Sequence, residues 1–374
     1  MKLNHQELMR YSRQIILKEV GESGQEKLKN AAVLCVGAGG IGSPVLLYLA
    51  AAGVGKIGVI DHDVVDLSNL QRQILFSEKD IHHPKSDTAC ATLQKHNSSI
   101  TFISYPEKLT VQNALRIFSE YDVILDASDN FYCKYLSSDV SKHLGKPLVL
   151  ASVYQFAGQL SVFNYQDGPC YRCLYPSAPP IPNCMDAGVL GVLPGIIGTL
   201  AANEVLKIVL SIGEILSGFL LTFDALSSVT KKMKLEKSAS CVTAHCQSAD
   251  TACVDSTQGN VDCPNLSISP HALLKLMQNN KRFLIVDVRE AWEMASGSIP
   301  GSKNIPLQQI AHFSPENNVI TIFYCRSGYR SMQAVRLLMR KGCNNILSLE
   351  GGITKWTQDL HRRVRGDVSK VSSE

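Results

Sequence analysis

The chain has 374 residues, of which 45% are apolar and 19% charged, enough for two packed domains. A formal charge of +4 is too small to favour nucleic acid, and no apolar run approaches the roughly 20 residues of a membrane span. The opening residues, Met1 to Glu7, are polar and lack a signal-peptide core, so a cytoplasmic location with reduced thiols is expected, and the 12 cysteines read as ligands, nucleophiles or core residues rather than as disulfides.

In chain order, residues 31–36 are predicted to form a strand, 41–52 a helix and 56–60 a second strand. The turn between the first two, Gly37-Ala38-Gly39-Gly40-Ile41-Gly42, is a G-x-G-x-x-G in the strand–turn–helix setting that motif needs. Its glycines allow a tight turn and close approach of the backbone to a phosphate at a helix N-terminus. Asp61 ends the next strand, 22 positions after Gly39, where a ribose-binding carboxylate belongs. These features alone indicate a nucleotide or dinucleotide and leave an NAD-dependent oxidoreductase open. Further along come Arg72, Lys85 after Pro84, and Asp126-Ala127-Ser128-Asp129-Asn130 closing a buried strand predicted at 121–125. Two cations and a carboxylate at strand ends suit ATP with Mg²⁺, whereas hydride transfer needs no such clamp.

A helix is predicted at 130–144, a buried strand at 147–151, and more alternating segments at 160–165 and 219–224 that suit an antiparallel extension. Residues 195–211 read as a buried or interface helix. Composition then shifts: residues 237–265 are rich in Ser, Thr, Ala and Asp and read as a linker with an anchored first part. A second α/β pattern follows, with a helix at 270–279, strands at 283–286 and 319–324, a helix at 331–341 and a strand at 345–349. The expected domains are 1–240 and 266–374, joined by 241–265.

The last strands hold Cys325-Arg326-Ser327-Gly328-Tyr329-Arg330-Ser331. A cysteine at a strand end, closed into a loop before a helix, is an anion cradle. Its short Cys-x4-Arg ring favours a cysteine carrying sulfur as a persulfide over a phosphate-binding loop, which is generally one residue longer.

The first half resembles the adenylating enzymes of the ubiquitin-activating superfamily, closest to the MoeB/ThiF group and to proteins that fuse that domain to a rhodanese. The resemblance rests on Arg10-Tyr11-Ser12-Arg13-Gln14-Ile15, the glycine loop, Asp61, Leu67-Ser68-Asn69-Leu70-Gln71-Arg72-Gln73, Lys85 and Asp129, and spans residues 5–235. It implies a Rossmann-like α/β domain whose mainly parallel sheet is extended by antiparallel strands. It also implies roles: Gly37, Gly39, Gly40 and Gly42 cradle ATP, Asp61 binds its ribose, and Asn69, Arg72 and Lys85 hold the triphosphate. Asp129 would bind Mg²⁺, and Arg13 would reach the phosphates of a neighbouring subunit, which requires a homodimer. Plain alternatives are a solvated Arg13, a helix cap for Asp129 and a turn or cap for Asp66.

Cys170-Tyr171-Arg172-Cys173 and the pair Cys241 and Cys246 form two thiol pairs that suit a structural Zn²⁺. The MoeB/ThiF group carries such a site with a second C-x-x-C. Here the second pair is C-x4-C with His245 inside, so Cys246, His245 or Cys253 could serve as the fourth ligand, and loss of the zinc is the alternative. Cys184, in a proline-rich loop, resembles the group's crossover-loop cysteine, which can form a thioester or disulfide linkage. The C-terminal part, about 266–360, resembles a rhodanese through Asp287-Val288-Arg289-Glu290, residues 297–306 and Glu350-Gly351-Gly352-Ile353-Thr354-Lys355-Trp356. Asp287 and Arg289 are expected to brace that fold.

Together these resemblances imply adenylation of the C-terminal glycine of a ubiquitin-like sulfur-carrier protein ending in Gly-Gly. A persulfide on Cys325, loaded by a donor such as a cysteine desulfurase, would then pass sulfur to form a thiocarboxylate. A rhodanese serving only as a docking or redox module is the alternative.

Overall fold

The computed structural model describes residues 2–177, 188–239, 241, 266–278, 282–316, 318–357 and 359. The chain forms two compact units, Met1–Gly259 and Asn260–Glu374.

In the first unit, helices α1 (His5–Arg10), α2 (Ser12–Ile15) and α3 (Gly21–Asn30) precede β1 (Ala32–Val36). Then come α4 (Gly42–Ala52), β2 (Lys56–Ile60), α5 (Lys85–His96), β3 (Thr101–Tyr105), α6 (Val111–Ser119), β4 (Val123–Asp126), α7 (Phe131–His143) and β5 (Leu148–Tyr154). These strands are parallel in the order β3-β2-β1-β4-β5, a doubly wound sheet. The tight turn after Tyr154 sends β6 (Ala157–Phe163) back antiparallel. The short α8 (Tyr171–Leu174) and the long α9 (Val192–Leu210) follow, and β7 (Phe219–Asp224) and β8 (Val229–Lys234) complete the antiparallel side.

Both faces of the sheet are covered. Val33, Cys35, Val59 and Leu125 pack with α4 and α9 residues on one side, and Leu34, Ile60, Ile124 and Leu148 with α6 and α7 residues on the other. Helix α9 has 19 residues and is long and apolar enough to cross a membrane, but it packs on α4, β5 and β6 as a core helix. Its buried Glu204 accepts from the Leu216 backbone N–H at 3.0 Å and pairs with Lys207, which ties the following turn to the helix.

In the second unit β9 (Ser267–Ile268), α10 (Pro270–Gln278), β10 (Phe283–Asp287), β11 (Lys303–Asn304), β12 (Ile320–Tyr324), α11 (Tyr329–Met339) and β13 (Ile346–Leu349) give an all-parallel sheet ordered β11-β10-β12-β13-β9. The central strand β12 is buried from Thr321 onward and delivers Cys325 to its C-terminal end.

Candidate functional site

The strand order of the first unit reverses between β1 and β4, and the crevice beyond their carboxyl ends is where open α/β sheets place ligands. The glycine loop opens there. The Gly37 N–H donates to the Ile60 carbonyl and the Ala127 N–H to the Val36 carbonyl, both at 2.9 Å, so the ends of β1, β2 and β4 are tied together. Gly42 is obligatory: a Cβ there would sit 2.1 Å from the Gly37 carbonyl oxygen. The Ser43 hydroxyl closes the turn by donating to the Gly39 carbonyl at 2.8 Å.

Asp61 accepts from the Ala38 N–H at 2.8 Å through one carboxylate oxygen and from the Asp63 N–H at 2.9 Å through the other. Burial pushes its carboxyl above the usual range, against the pull of Lys85 and of those two N–H groups. Lys85 starts α5 and is itself buried; its ammonium lies 3.0 Å from the exposed Asp63 carboxylate. Arg72 sits over the glycine loop, since a Cβ on Gly40 would come within 3.3 Å of its Cγ, and it donates to the Ser68 carbonyl at 3.1 Å. Asn69 shapes the turn before it, and Asp66 caps that turn by accepting from the Ser68 N–H.

Asp129 is exposed at the end of β4, and it does not cap α7. Asn130 does so, accepting from the Cys133 N–H at 2.9 Å. This leaves the Asp129 carboxylate exposed, with the Asn130 amide, 3.4 Å away, as its hydrogen-bond donor among the described residues. Arg13 is exposed on α2, which packs on α1 and α3. Asp61, Arg72, Lys85 and Asp129 thus surround the ends of neighbouring strands, whereas Arg13 lies outside that set.

Sequence reasoning passed over Lys134. It is 4% exposed, and its ammonium reaches the Ser128 carbonyl at 2.6 Å, the Ala151 carbonyl at 3.1 Å and the buried Asp126 carboxylate at 3.6 Å. It fastens the loop that carries Asp129 to β5. A lysine four positions after Asn130, inside a helix otherwise buried at that point, was the available signal.

The thiols of Cys170, Cys173 and Cys241 converge: Cys170 lies 3.8 Å from Cys173 and 3.4 Å from Cys241. Tetrahedral zinc with Zn–S bonds of about 2.3 Å separates its sulfurs by about 3.8 Å, so three ligand positions fit. The C-x-x-C turn is held by its middle residues. Tyr171 is buried among Tyr135, Phe163 and Tyr175, and Arg172 makes a bidentate pair with Asp139 at 3.0 and 2.7 Å. Burial pushes the Cys170 thiol up. Burial also opposes ionisation of Cys241, but the Lys142 ammonium, 3.1 Å from its sulfur, helps bring that thiol below its usual range. Cys246, with its rivals His245 and Cys253, lies outside the described residues, as does Cys184.

In the second unit the Gly328 N–H donates to the Cys325 sulfur at 3.1 Å, and the Ile353 N–H to the Cys325 carbonyl at 2.8 Å. The Arg330 guanidinium makes a bidentate pair with Glu293 at 2.6 and 2.7 Å. Asp287 and Arg289 form a buried pair at 2.7 Å, and Arg289 also holds the Glu293 and Gly297 carbonyls, which braces the segment carrying Glu293. Burial works against the Glu293 carboxylate, but Arg330 and the Glu290 N–H outweigh it and hold that carboxyl below the usual 4.5. A depressed carboxylate contributes stability that is present above its unfolded value and is lost as pH falls through the native one. Glu293→Gln is therefore expected to lower the unfolding temperature of this unit by about 5 °C at pH 7, for a loss of about 1 kcal/mol. Thermal melts from pH 7 to pH 3 should show the difference shrinking below 4.5. A difference that stays constant to pH 3 would remove the ion pair as its cause.

The ThiF family pattern matches residues 11–243, and the rhodanese-like domain pattern matches residues 269–359. The chain is similar to the adenylyltransferase and sulfurtransferase MOCS3 of Culex quinquefasciatus, 40% identical over 96% of this chain and 90% of that protein. The protein of the same name in Arabidopsis thaliana is 38% identical over 96% of this chain and 85% of its own length. A sulfur carrier protein adenylyltransferase of Thermus thermophilus is 48% identical over 64% of this chain and 92% of its own. Among solved structures, E. coli MccB superposes with a TM-score of 0.57 over 64% of this chain and 75% of MccB at 23% identity, a likeness of fold. The chain therefore belongs to the ThiF family, in the group whose members join the ThiF domain to a C-terminal rhodanese-like domain as adenylyltransferases and sulfurtransferases.

Proposed function

We propose that this enzyme adenylates the C-terminal glycine of a ubiquitin-like sulfur-carrier protein and then converts that carboxyl to a thiocarboxylate with sulfur carried on Cys325. The observation that carries this reading is the presence, in one chain, of a phosphate-ready crevice at the β1–β4 switch point and a cysteine cradled by backbone N–H at the end of β12. The relatives' names supply the reaction class.

The carrier's terminal carboxylate attacks the α-phosphorus of ATP, and pyrophosphate leaves. The carboxylate is already ionised at neutral pH and needs no strong base. Gly37, Gly39, Gly40 and Gly42 present backbone to the phosphates, Asp61 holds the ribose, and Asn69, Arg72 and Lys85 hold the triphosphate. Lys85 would exchange its Asp63 partner for phosphate oxygens. Mg²⁺ would neutralise charge on the phosphates, held by the open Asp129 carboxylate. Arg13, exposed on α2, would complete the clamp from a second subunit, in a homodimer.

AMP is then displaced from the acyl-adenylate by the terminal sulfur of the Cys325 persulfide, giving an acyl disulfide. A thiol, for which Cys184 is the candidate, attacks the Cys325 sulfur; the thiocarboxylate leaves, and the disulfide formed is reduced by an external dithiol. A cysteine desulfurase is a suitable persulfide donor. The test is ATP–pyrophosphate exchange that depends on a Gly-Gly-ended carrier. Asp129→Ala should lower exchange by about 100-fold or more; exchange at the wild-type rate would reject the adenylation site.

Zinc on Cys170, Cys173, Cys241 and a fourth ligand, Cys246 by the spacing, would pin the end of the first unit. Metal analysis of unchelated protein should give one zinc per chain, and Cys173→Ser should lose it together with several degrees of thermal stability. A preparation without zinc would end that assignment.

A further inference from the structure

Two buried serines stand behind the sulfur of Cys325. The Ser331 hydroxyl, in the first turn of α11, lies 3.8 Å from the Cys325 sulfur and 3.0 Å from the Gly328 carbonyl oxygen. The Ser348 hydroxyl, on β13, is 2.8 Å from that of Ser331 and 3.3 Å from the same carbonyl. Both residues are 2% exposed or less. A hydroxyl has one proton and rotates freely about its C–O bond. The Ser331 proton can therefore go to the cysteine sulfur, to the Gly328 carbonyl or to the Ser348 hydroxyl, and Ser348 can donate to Ser331 whenever Ser331 donates to either of the first two. Of the charged side chains around the loop, Arg330 pairs with Glu293 and Arg289 with Asp287. Alongside the Gly328 N–H, the Ser331 hydroxyl lies within hydrogen-bond reach of the sulfur and is free to rotate as the charge there changes.

We propose that Ser331, backed by Ser348, is a positioning residue that donates to Cys325 when its sulfur is a thiolate and turns to the Gly328 carbonyl when that sulfur is the neutral inner atom of a persulfide. This rests on Cys325 being the sulfur-carrying cysteine. In the loading step the Cys325 thiolate attacks the outer sulfur of a donor, a new S–S bond forms, and the donor leaves with the electron pair of the bond that breaks. Thiosulfate serves as the simplest donor: Cys325–S⁻ takes the sulfane sulfur, and sulfite leaves. The Ser331 hydroxyl favours the ionised reactant and releases it once the charge has moved to the outer sulfur.

The test is the rate at which the full-length protein gains one sulfur atom on Cys325 from thiosulfate, read by mass spectrometry between pH 6 and pH 10. A hydrogen bond to a charged group is worth about 1.5 kcal/mol or more, so Ser331→Ala should load about tenfold more slowly at pH 7. The deficit should close in alkaline solution, where ionisation no longer needs help. Ser331→Thr, which keeps the hydroxyl, should recover most of the rate, and Ser348→Ala should show a smaller deficit with the same pH dependence. Loading of Ser331→Ala at the wild-type rate overturns the proposal, and so does an equal deficit at every pH, which would mark a packing defect. If Ser331→Ala does not fold, Ser348→Ala decides by the same pH criterion. Failure of the wild type to load would instead reject Cys325 as the sulfur carrier.

Discussion

Cys325→Ala is expected to abolish thiocarboxylate formation on the carrier while carrier-dependent pyrophosphate exchange continues at the wild-type rate. The two chemistries draw on different units. In the proposed mechanism exchange draws on the glycine loop, Asp61, Arg72, Lys85 and Asp129, all within the unit Met1–Gly259, whereas Cys325 lies in the unit Asn260–Glu374. If Cys325 bears the transferred sulfur, as proposed, its removal should cost about 1,000-fold or more, as for other covalent nucleophiles. The cavity left by one sulfur in a buried loop costs roughly 1–2 kcal/mol and should not unfold the unit. Thiocarboxylate is measured by mass spectrometry of the carrier, which gains 16 Da when oxygen is replaced by sulfur. If the Cys325→Ala enzyme still sulfurates the carrier at the wild-type rate from a persulfide donor, sulfur bypasses this cysteine and the second unit is a docking or redox module. The acyl-adenylate should also accumulate in the variant, because its consuming nucleophile is gone.

The doubly wound half of the sheet was legible because its strands are buried on both faces, so Val33–Val36, Val123–Leu125 and Leu148–Leu150 read as continuous apolar runs between turn signals. Edge strands were not. All six residues of β8 are exposed, with Lys231, Lys232 and Lys234 among them, and β3 carries no buried residue, so neither shows a core-facing period. Helices α5 and α6 lie between the nucleotide motifs; their buried faces are short, Ala89 and Leu93 in one and Ala114, Ile117 and Phe118 in the other. Of the site, Asp61 and Lys85 were legible as types at positions, but the Asp63 partner of Lys85 was not, since an ion pair between a strand end and a helix start is set by tertiary placement. The Cys-x4-Arg loop was legible as an anion cradle. The pairing of Arg330 with Glu293, 37 positions earlier, was not, since no local pattern records a pair so far apart.

Lys134→Met is expected to impair adenylation without touching substrate. The ammonium group of Lys134 is buried beside Asp126, whose carboxylate is fully buried, accepts from the Ser128 N–H at 2.9 Å and from the Ser128 hydroxyl, and has a second oxygen with no hydrogen-bond partner among the described residues. Deleting the cation leaves that charge uncompensated, which costs about 3–5 kcal/mol. It also removes the donor shared by the Ser128 and Ala151 carbonyls, which fixes the loop bearing Asp129 against β5. Misplacing a catalytic carboxylate by about 1 Å can cost about 100-fold, so exchange should fall by one to two orders of magnitude. The double variant Asp126→Asn with Lys134→Met separates the two effects. Asparagine keeps an acceptor for Ser128 but removes the orphaned charge, so most of the stability should return, as read by denaturant unfolding. Exchange should stay low, because the Ser128 and Ala151 carbonyls still lack their donor. Recovery of exchange in step with stability would show that Lys134 acts only through the folded fraction and that the loop is held by other contacts.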